Sequence, residues 1–111
     1  MIVYEKPAEY RGTIEVYADE VADLNYEDEF VAVTEWRWQC KSRNGNLLGR
    51  GKGYKRRAGA LNAVDAQYSV QLAEKVNTDF YTPELIRRLV VPWRLVIHDR
   101  HGNIERIGAV Y

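Results

Sequence analysis

Two segments of this chain alternate apolar and polar residues strictly enough to predict β-strands. In residues 30–42, Trp36, Trp38 and Cys40 fall on one face, and mostly polar side chains occupy the positions between them. Residues 13–17 alternate in the same way. Since successive side chains of a strand point to opposite sides of a sheet, both segments predict strands that bury one face.

A helical period replaces the strand period further along the chain. The apolar residues of segment 55–76 recur three or four positions apart, at Leu61, Val64, Tyr68, Leu72 and Val76. This spacing predicts one long helix with a buried stripe. A second helix start is predicted at Thr82, because Pro83 and Glu84 supply the favoured first-turn residues behind a hydroxyl cap.

One strand-turn-strand stretch recurs 57 residues later. Trp36-Arg37, Arg43, Gly45-Asn46, Gly51 and Tyr54 are matched by Trp93-Arg94, Arg100, Gly102-Asn103, Gly108 and Tyr111. A constant offset over such a stretch indicates two copies of one unit, each turning through a tight hairpin. We predict one domain, 1–111, with a helix-bearing unit at about 25–76 and a helix-less unit at about 82–111. Asn25 and Thr82 are each predicted to open a helical turn.

These elements predict an α+β fold, with an antiparallel sheet built from two related strand-turn-strand units and one long helix packed on it. The second unit has no helix of its own, and Val96 makes the outer face of its strand apolar. We therefore expect a homodimer or a higher oligomer, with residues 93–111 close to a symmetry axis.

Length and composition exclude several classes of protein. A chain of 111 residues holds a single core, and its apolar runs fall short of the roughly 20 residues that span a bilayer. We expect no membrane partner. Charged residues near Met1 argue against a secretory leader, so a cytoplasmic location is expected. Cys40, in phase with the tryptophans, predicts a buried, reduced thiol.

The net charge of zero conceals a strong segregation. Residues 1–35 contain ten acids and two bases, whereas residues 36–57 contain eight bases and no acid. Two outcomes fit this pattern. The segments neutralise each other across the fold or an interface, or they leave an acidic and a basic face for partners of opposite charge.

The basic segment resembles the YegP-like family of small tandem-repeat domains. The resemblance is carried by Trp36-Arg37-Trp38-Gln39-Cys40-Lys41-Ser42-Arg43-Asn44-Gly45-Asn46, Gly51-Lys52-Gly53-Tyr54 and Arg57-Ala58-Gly59-Ala60-Leu61-Asn62-Ala63-Val64. It implies an antiparallel sheet with helical cover, often in tandem or paired units, and it implies no catalytic residue or ligand. Lys55 and Arg56 replace the family's usual hydroxyl cap, and the second helix is missing. These departures suggest a diverged phage or accessory protein.

Seven bases form the candidate site for a phosphate group: Arg37, Lys41, Arg50, Lys52, Lys55, Arg56 and Arg57. Cations at a helix start oppose the helix dipole, and a bound anion would offset that cost. The neighbouring glycines would let the backbone approach the anion. Their spacing differs from that of a nucleotide-hydrolysing loop.

We therefore expect a non-catalytic, homo-oligomeric binding module for a nucleotide or nucleic acid. The alternative is an inhibitor or adaptor that binds a protein target through its acidic segment, residues 19–29. No catalytic motif is present, so no enzymatic activity and no cofactor are expected. The pair His98 and His101 lacks further ligands at suitable spacing, so no metal site is expected either.

Overall fold

One six-stranded sheet and two short helices make up the described part of the chain. The computed structural model describes residues 1–70 and 82–111. Its elements are β1 (Ile2–Val3), β2 (Gly12–Leu24), β3 (Phe30–Ser42), β4 (Leu47–Tyr54), α1 (Arg57–Tyr68), α2 (Pro83–Leu89), β5 (Trp93–His98) and β6 (Ile104–Val110). The strand order is β1-β6-β5-β2-β3-β4. The predicted α+β class is confirmed.

The sheet is mixed, whereas the sequence predicted an antiparallel one. β2 and β5 run parallel, with residues 13–16 opposite residues 94–97, and the other described strand pairs are antiparallel. Both described helices lie in the connection from β4 to β5, and a crossover of that length can bring a strand back in parallel orientation. Side-chain periodicity carries no information on strand direction, which is why the prediction was wrong at this pair.

The β3–β4 and β5–β6 hairpins share four residue pairs at the 57-residue offset, whereas Trp36 pairs with Tyr54 and Trp93 with Val110 instead of Tyr111. The pairs Trp38–Gly51, Gln39–Arg50, Cys40–Gly49 and Lys41–Leu47 correspond to Leu95–Gly108, Val96–Ile107, Ile97–Arg106 and His98–Ile104. Gly45 and Gly102 occupy the same turn position with φ of 84° and 85°, a conformation that favours glycine. This common geometry supports the idea of a duplicated unit, which stays a prediction.

Helix α1 is shorter than the sequence predicted. It ends at Tyr68, and Ser69 has an extended backbone with ψ of 146°. The Ser69 hydroxyl donates to Asp65 Oδ1 at 2.5 Å, and the Val70 N–H donates to the Tyr111 carbonyl at 3.0 Å instead of continuing the helix. These competing hydrogen bonds end the helix. The predicted stripe residues Leu72 and Val76 lie outside the described residues.

Helix α2 begins as the sequence predicted. The Thr82 hydroxyl accepts a hydrogen bond from the Leu85 N–H at 3.2 Å, and Pro83 is the first helical residue. The hydroxyl thus satisfies one of the free amides of the first turn. Within the described residues, no helix is long and apolar enough to cross a membrane.

The core lies between α1 and one face of the sheet. Its buried residues are Ile14, Val16, Trp38, Cys40, Ala60, Val64, Leu95, Ile97 and Val110. Trp38 is 3% exposed, and its ring contacts that of Tyr68 edge to face, with centroids 5.5 Å apart. Trp36 is half-buried against the same core. The face predicted for the tryptophan strand is confirmed.

The second hairpin is buried in the same core as the first. Leu95 and Ile97 of β5 are buried in the same core within a single chain, and so is Val110 of β6. Val96, on the opposite face, is only 4% exposed. An uncovered second sheet was the reason for placing a dimer interface at residues 93–111, and the structure removes that reason. Oligomerisation itself stays a prediction.

β2 and β3 extend beyond the rest of the sheet as a two-stranded ribbon. β5 pairs with β2 only as far as Val16, and β4 pairs with β3 only from Trp36 onward. Within the described ranges, residues 19–35, which we call the arm, therefore form strand pairs only with each other. Asn25 Oδ1 accepts from the Glu27 and Glu29 amides at the tip, so Asn25 caps a hairpin turn. The predicted helical turn at Asn25 was wrong.

Candidate functional site

The predicted binding residues occupy the side of the sheet opposite α1, which we call the outer face, and the start of α1. Alternation along β3 puts Arg37 and Lys41 on the outer face, because Trp38 and Cys40 point to the core. The contacts of α1 with β2, β3 and β4 lie on the core side, and at the β4 end of the outer face Arg50 and Lys52 are exposed. Among the described residues, this end of the outer face is therefore accessible to a ligand.

Six of the seven predicted residues divide between two surface pockets. Arg37, Arg50 and Lys52 line a depression of about 310 Å³ with Tyr17 and Gly51, which we call the outer pocket. Lys55, Arg56 and Arg57 line a different depression of about 440 Å³, the helix-start pocket. Lys41 shares the outer face with Arg37 but lies outside the lining of the outer pocket. The structure thus separates the basic strand from the helix start.

Strand pairing builds the outer pocket. Tyr17 of β2 lies directly opposite Arg37 of β3. Arg50 and Lys52 flank Gly51 on β4, and Gly51 faces the Trp38 ring on the core side. The two flanking side chains therefore point to the outer face, next to Arg37.

Arg37 is held in place by acids of its own chain. Its Nε donates to Glu35 Oε2 at 2.8 Å, and its Nη1 lies 3.0 Å from Asp19 Oδ2. The hydrogen bond to Glu35, followed by the charges of both acids, raises the pKa of Arg37 above its ordinary value. Arg37 is thus oriented and largely neutralised. Arg50 and Lys52 make no ion pair with any described residue, so they supply the positive charge of the outer pocket.

The helix-start pocket contains carboxylates as well as bases. Arg57 forms an ion pair with Glu105, and its guanidinium lies 5.6 Å from the centre of the Trp36 ring. Asp99 also lines this pocket. Arg56 is the N-cap residue, and no side chain caps the helix there. An anion at this helix start would meet two carboxylates, which weakens the attraction predicted from the sequence.

The acidic and basic segments neutralise each other at only one place in the part of the chain that the structure describes. Arg37 is the base of segment 36–57 that pairs with acids of segment 1–35. Arg57 instead pairs with Glu105 of β6. The two segments thus neutralise each other at Arg37, whereas Arg50 and Lys52 have no acidic partner among the described residues, and a partner of opposite charge stays a prediction.

Tyr17 is the pocket residue that the sequence did not predict. The strand pattern had assigned its face correctly, alongside Thr13 and Glu15. Its proximity to Arg37 depends on the β2–β3 register, which the turn at Asn25 sets. Interpreting Asn25 as a hairpin cap in place of a helix start would have placed these two residues opposite each other.

The remaining candidate groups have structural roles. Asp99 Oδ1 accepts from the backbone amides of His101 and Asn103, so it caps the β5–β6 turn. Burial raises the pKa of the Cys40 thiol, which disfavours the reactive thiolate. Among the described residues, no three His, Cys, Asp or Glu side chains are grouped so as to hold a metal ion.

Comparison with known proteins gives one match. The family model of a domain of unknown function (DUF1508) matches residues 33–66. The matched segment contains most of β3, all of β4 and most of α1, and it includes Arg37, Arg50 and Lys52. It covers less than half of the chain and specifies no ligand or activity. No curated protein and no solved structure gives a significant match.

Proposed function

We propose that this chain is a non-catalytic binding module whose outer pocket holds a phosphate-bearing ligand, a nucleotide or a nucleic acid. The observation that supports this is the pair Arg50 and Lys52. Both project from one strand onto an open sheet face, beside Tyr17, without an acidic partner among the described residues. Charge-assisted hydrogen bonds to phosphate are among the strongest that side chains make.

The composition of the pocket suits a nucleotide better than a simple anion. Tyr17 offers an aromatic ring next to the cations, and a base that stacks on an aromatic ring while its phosphate meets Lys or Arg is the usual arrangement in single-strand binding. Arg37 is fixed by Glu35 and Asp19, so little side-chain freedom is lost when it contacts a ligand.

We further propose that the chain is a diverged member of the YegP-like tandem-repeat domains. The matched segment 33–66 includes the tryptophan strand, the Asn-Gly turn and the start of α1, on which that resemblance rests. A cytoplasmic location is part of the proposal, because the buried Cys40 would stay reduced there.

A protein-binding adaptor is the second candidate function. The arm favours it, because Leu24, Tyr26 and Phe30 are exposed near its tip in an acidic surrounding. Exposed apolar side chains on a projecting ribbon are typical of an interaction surface.

Two matched double variants test the site. Arg50→Gln with Lys52→Gln removes two charges from the outer pocket, and Lys55→Gln with Arg56→Gln removes two from the helix start. The probe is a fluorescein-labelled, single-stranded oligothymidylate, followed by fluorescence anisotropy. We expect the outer-pocket variant to lose roughly 1.5–3 kcal/mol of binding free energy per contact, with the salt slope lowered by about 0.7 for each phosphate contact.

The helix-start variant is the control for general electrostatic attraction, since both variants change the net charge equally. Its affinity should fall much less than that of the outer-pocket variant. Equal losses in the two variants would mean that only the overall charge attracts the oligonucleotide. A larger loss of affinity in the helix-start variant would indicate that the ligand binds at the start of α1.

A further inference from the structure

The arm presents apolar side chains that nothing in the described structure covers. Leu24 is 53% exposed and lies opposite Phe30, which is 76% exposed. Tyr26, in the turn between them, is fully exposed. A two-stranded ribbon without a covering layer is marginally stable in water, so contact with a further surface would stabilise this one.

The charge of the arm limits what can cover it. Residues 19–35 contain no Lys or Arg. Two acids of the arm, Asp19 and Glu35, pair with Arg37. The other five form no ion pair with described residues: Glu20, Asp23, Glu27, Asp28 and Glu29. Two arms would repel each other. The complementary surface must therefore be basic, with apolar positions of its own.

The free edge of β4 in a second copy has these properties. β4 is the last of the described strands in the sheet, so one side of its backbone has no partner strand among residues 1–70 and 82–111. Arg50 and Lys52 lie on this strand, and Leu47 and Leu48 are about half exposed at its beginning. Segment 36–57 contains no acid. Its positive charge is complementary to the acids of the arm, and its apolar side chains and unpaired backbone groups can contact those of the arm.

We propose that the arm of one copy docks along the β4 edge of a second copy, and that the same contact forms reciprocally. The arm cannot reach its own β4 edge, because it continues β3 along the strand axis while the free edge of β4 faces away from β3. A two-fold arrangement forms the contact twice, which a heterologous basic partner would not.

This dimer differs from the one predicted from the sequence, which placed the interface at residues 93–111. It deepens the second candidate function above, because the protein that the arm binds is then a second copy of this chain. It does not require a ligand in the outer pocket. The two proposals share Arg50 and Lys52. A bound oligonucleotide would therefore compete with the arm for these two side chains.

A charge exchange tests the contact. One variant carries Asp23→Lys, Glu27→Lys and Glu29→Lys, which makes the unpaired charge of the arm positive, and the other carries Arg50→Glu and Lys52→Glu on β4. We measure self-association of each by sedimentation velocity at low ionic strength. The wild-type chain should form a dimer that weakens with added salt, because the Debye length falls from about 30 Å at 0.01 M to about 8 Å at 0.15 M.

Each variant alone should be monomeric, and an equimolar mixture should form a heterodimer, because both reciprocal contacts then pair opposite charges. Phe30→Ser should weaken the wild-type dimer at least tenfold. Leu89→Ser is the control, since Leu89 is 69% exposed on α2, and it should leave the dimer unchanged.

A wild-type chain that stays monomeric at low ionic strength overturns the proposal. The expected partner of the arm would then be a basic protein of another sequence. A dimer that persists in both charge variants also overturns it, and places the interface elsewhere. Oligothymidylate binding by a monomeric wild-type chain would refute this inference alone and leave the outer pocket proposal intact.

Discussion

Gly51 of β4 lies directly against the indole ring of Trp38 across the β3–β4 pair. A Cβ atom at position 51 would lie 2.6 Å from Cε2 of the ring and 3.0 Å from Cδ1. The ring is almost completely buried and is held by its contact with Tyr68, so it has little room to move aside. The missing side chain at position 51 is what allows Trp38 to fill the core.

Gly51→Ala should therefore destabilise the fold by about 1–3 kcal/mol, because the added methyl group overpacks the core. Urea unfolding measures the effect. Gly59→Ala is the matched control. A Cβ at position 59 would meet the Tyr54 ring at 3.5 Å, an ordinary contact, so this change within α1 should stabilise by about 0.5–1 kcal/mol. Effects of the same sign would contradict the packing described here.

Trp38→Ala should cost on the order of 3–5 kcal/mol, because it removes a large buried ring and leaves a cavity. Trp36→Ala should cost less, since Trp36 is only half-buried. Denaturant unfolding of the two variants gives the comparison. Equal costs would mean that the two tryptophans are equally buried, against the structure.

Local signals in the sequence were sufficient to predict several parts of the fold. The phase of β3 followed from alternation, because burial acts on every second residue. The first glycine turn followed from Asn44-Gly45, the second from the repeat that places Gly102 at the same offset, and the start of α2 from Thr82 and Pro83. Each of these features depends on residues close together in the chain, which is why a single sequence reveals it.

Features that depend on distant residues were missed. The parallel pairing of β2 with β5 and the capture of the Val70 amide by Tyr111 both involve partners far apart in the sequence. The candidate site shows the same limit. Grouping Arg50 and Lys52 with the helix start followed from sequence proximity, whereas the sheet places them beside Tyr17.

Stability should fall at high pH through Tyr68. Burial, and after it the neighbouring Cys40, raises the pKa of Tyr68 to about 12 from an ordinary value near 10. Between these pH values the unfolded chain loses the phenolic proton while the folded chain keeps it. The free energy of unfolding should therefore be unaffected by this group below pH 10 and fall by up to about 2 kcal/mol as the pH approaches 12.

Urea unfolding across this pH range, on the wild-type chain and on Tyr68→Phe, isolates the effect. The phenylalanine variant has no proton to lose at this position, so its stability should fall less steeply. Parallel pH profiles for the two proteins would show that Tyr68 ionises equally easily in the folded and unfolded chains.

The two arginines at the start of α1 should respond in opposite directions. Arg56 is an N-cap residue without a side-chain cap bond, so Arg56→Ser should supply a hydroxyl acceptor for the first-turn amides and remove a charge that opposes the helix dipole. A gain of about 1 kcal/mol in the free energy of unfolding is expected.

Arg57→Ala removes the ion pair with Glu105 and the contact with the Trp36 ring, and should lower the free energy of unfolding by about 1 kcal/mol. Thermal and urea unfolding of the two variants measure this. If both changes destabilise the chain, the helix start is not the unfavourable arrangement of charge described here, and Arg56 must make a contact of its own.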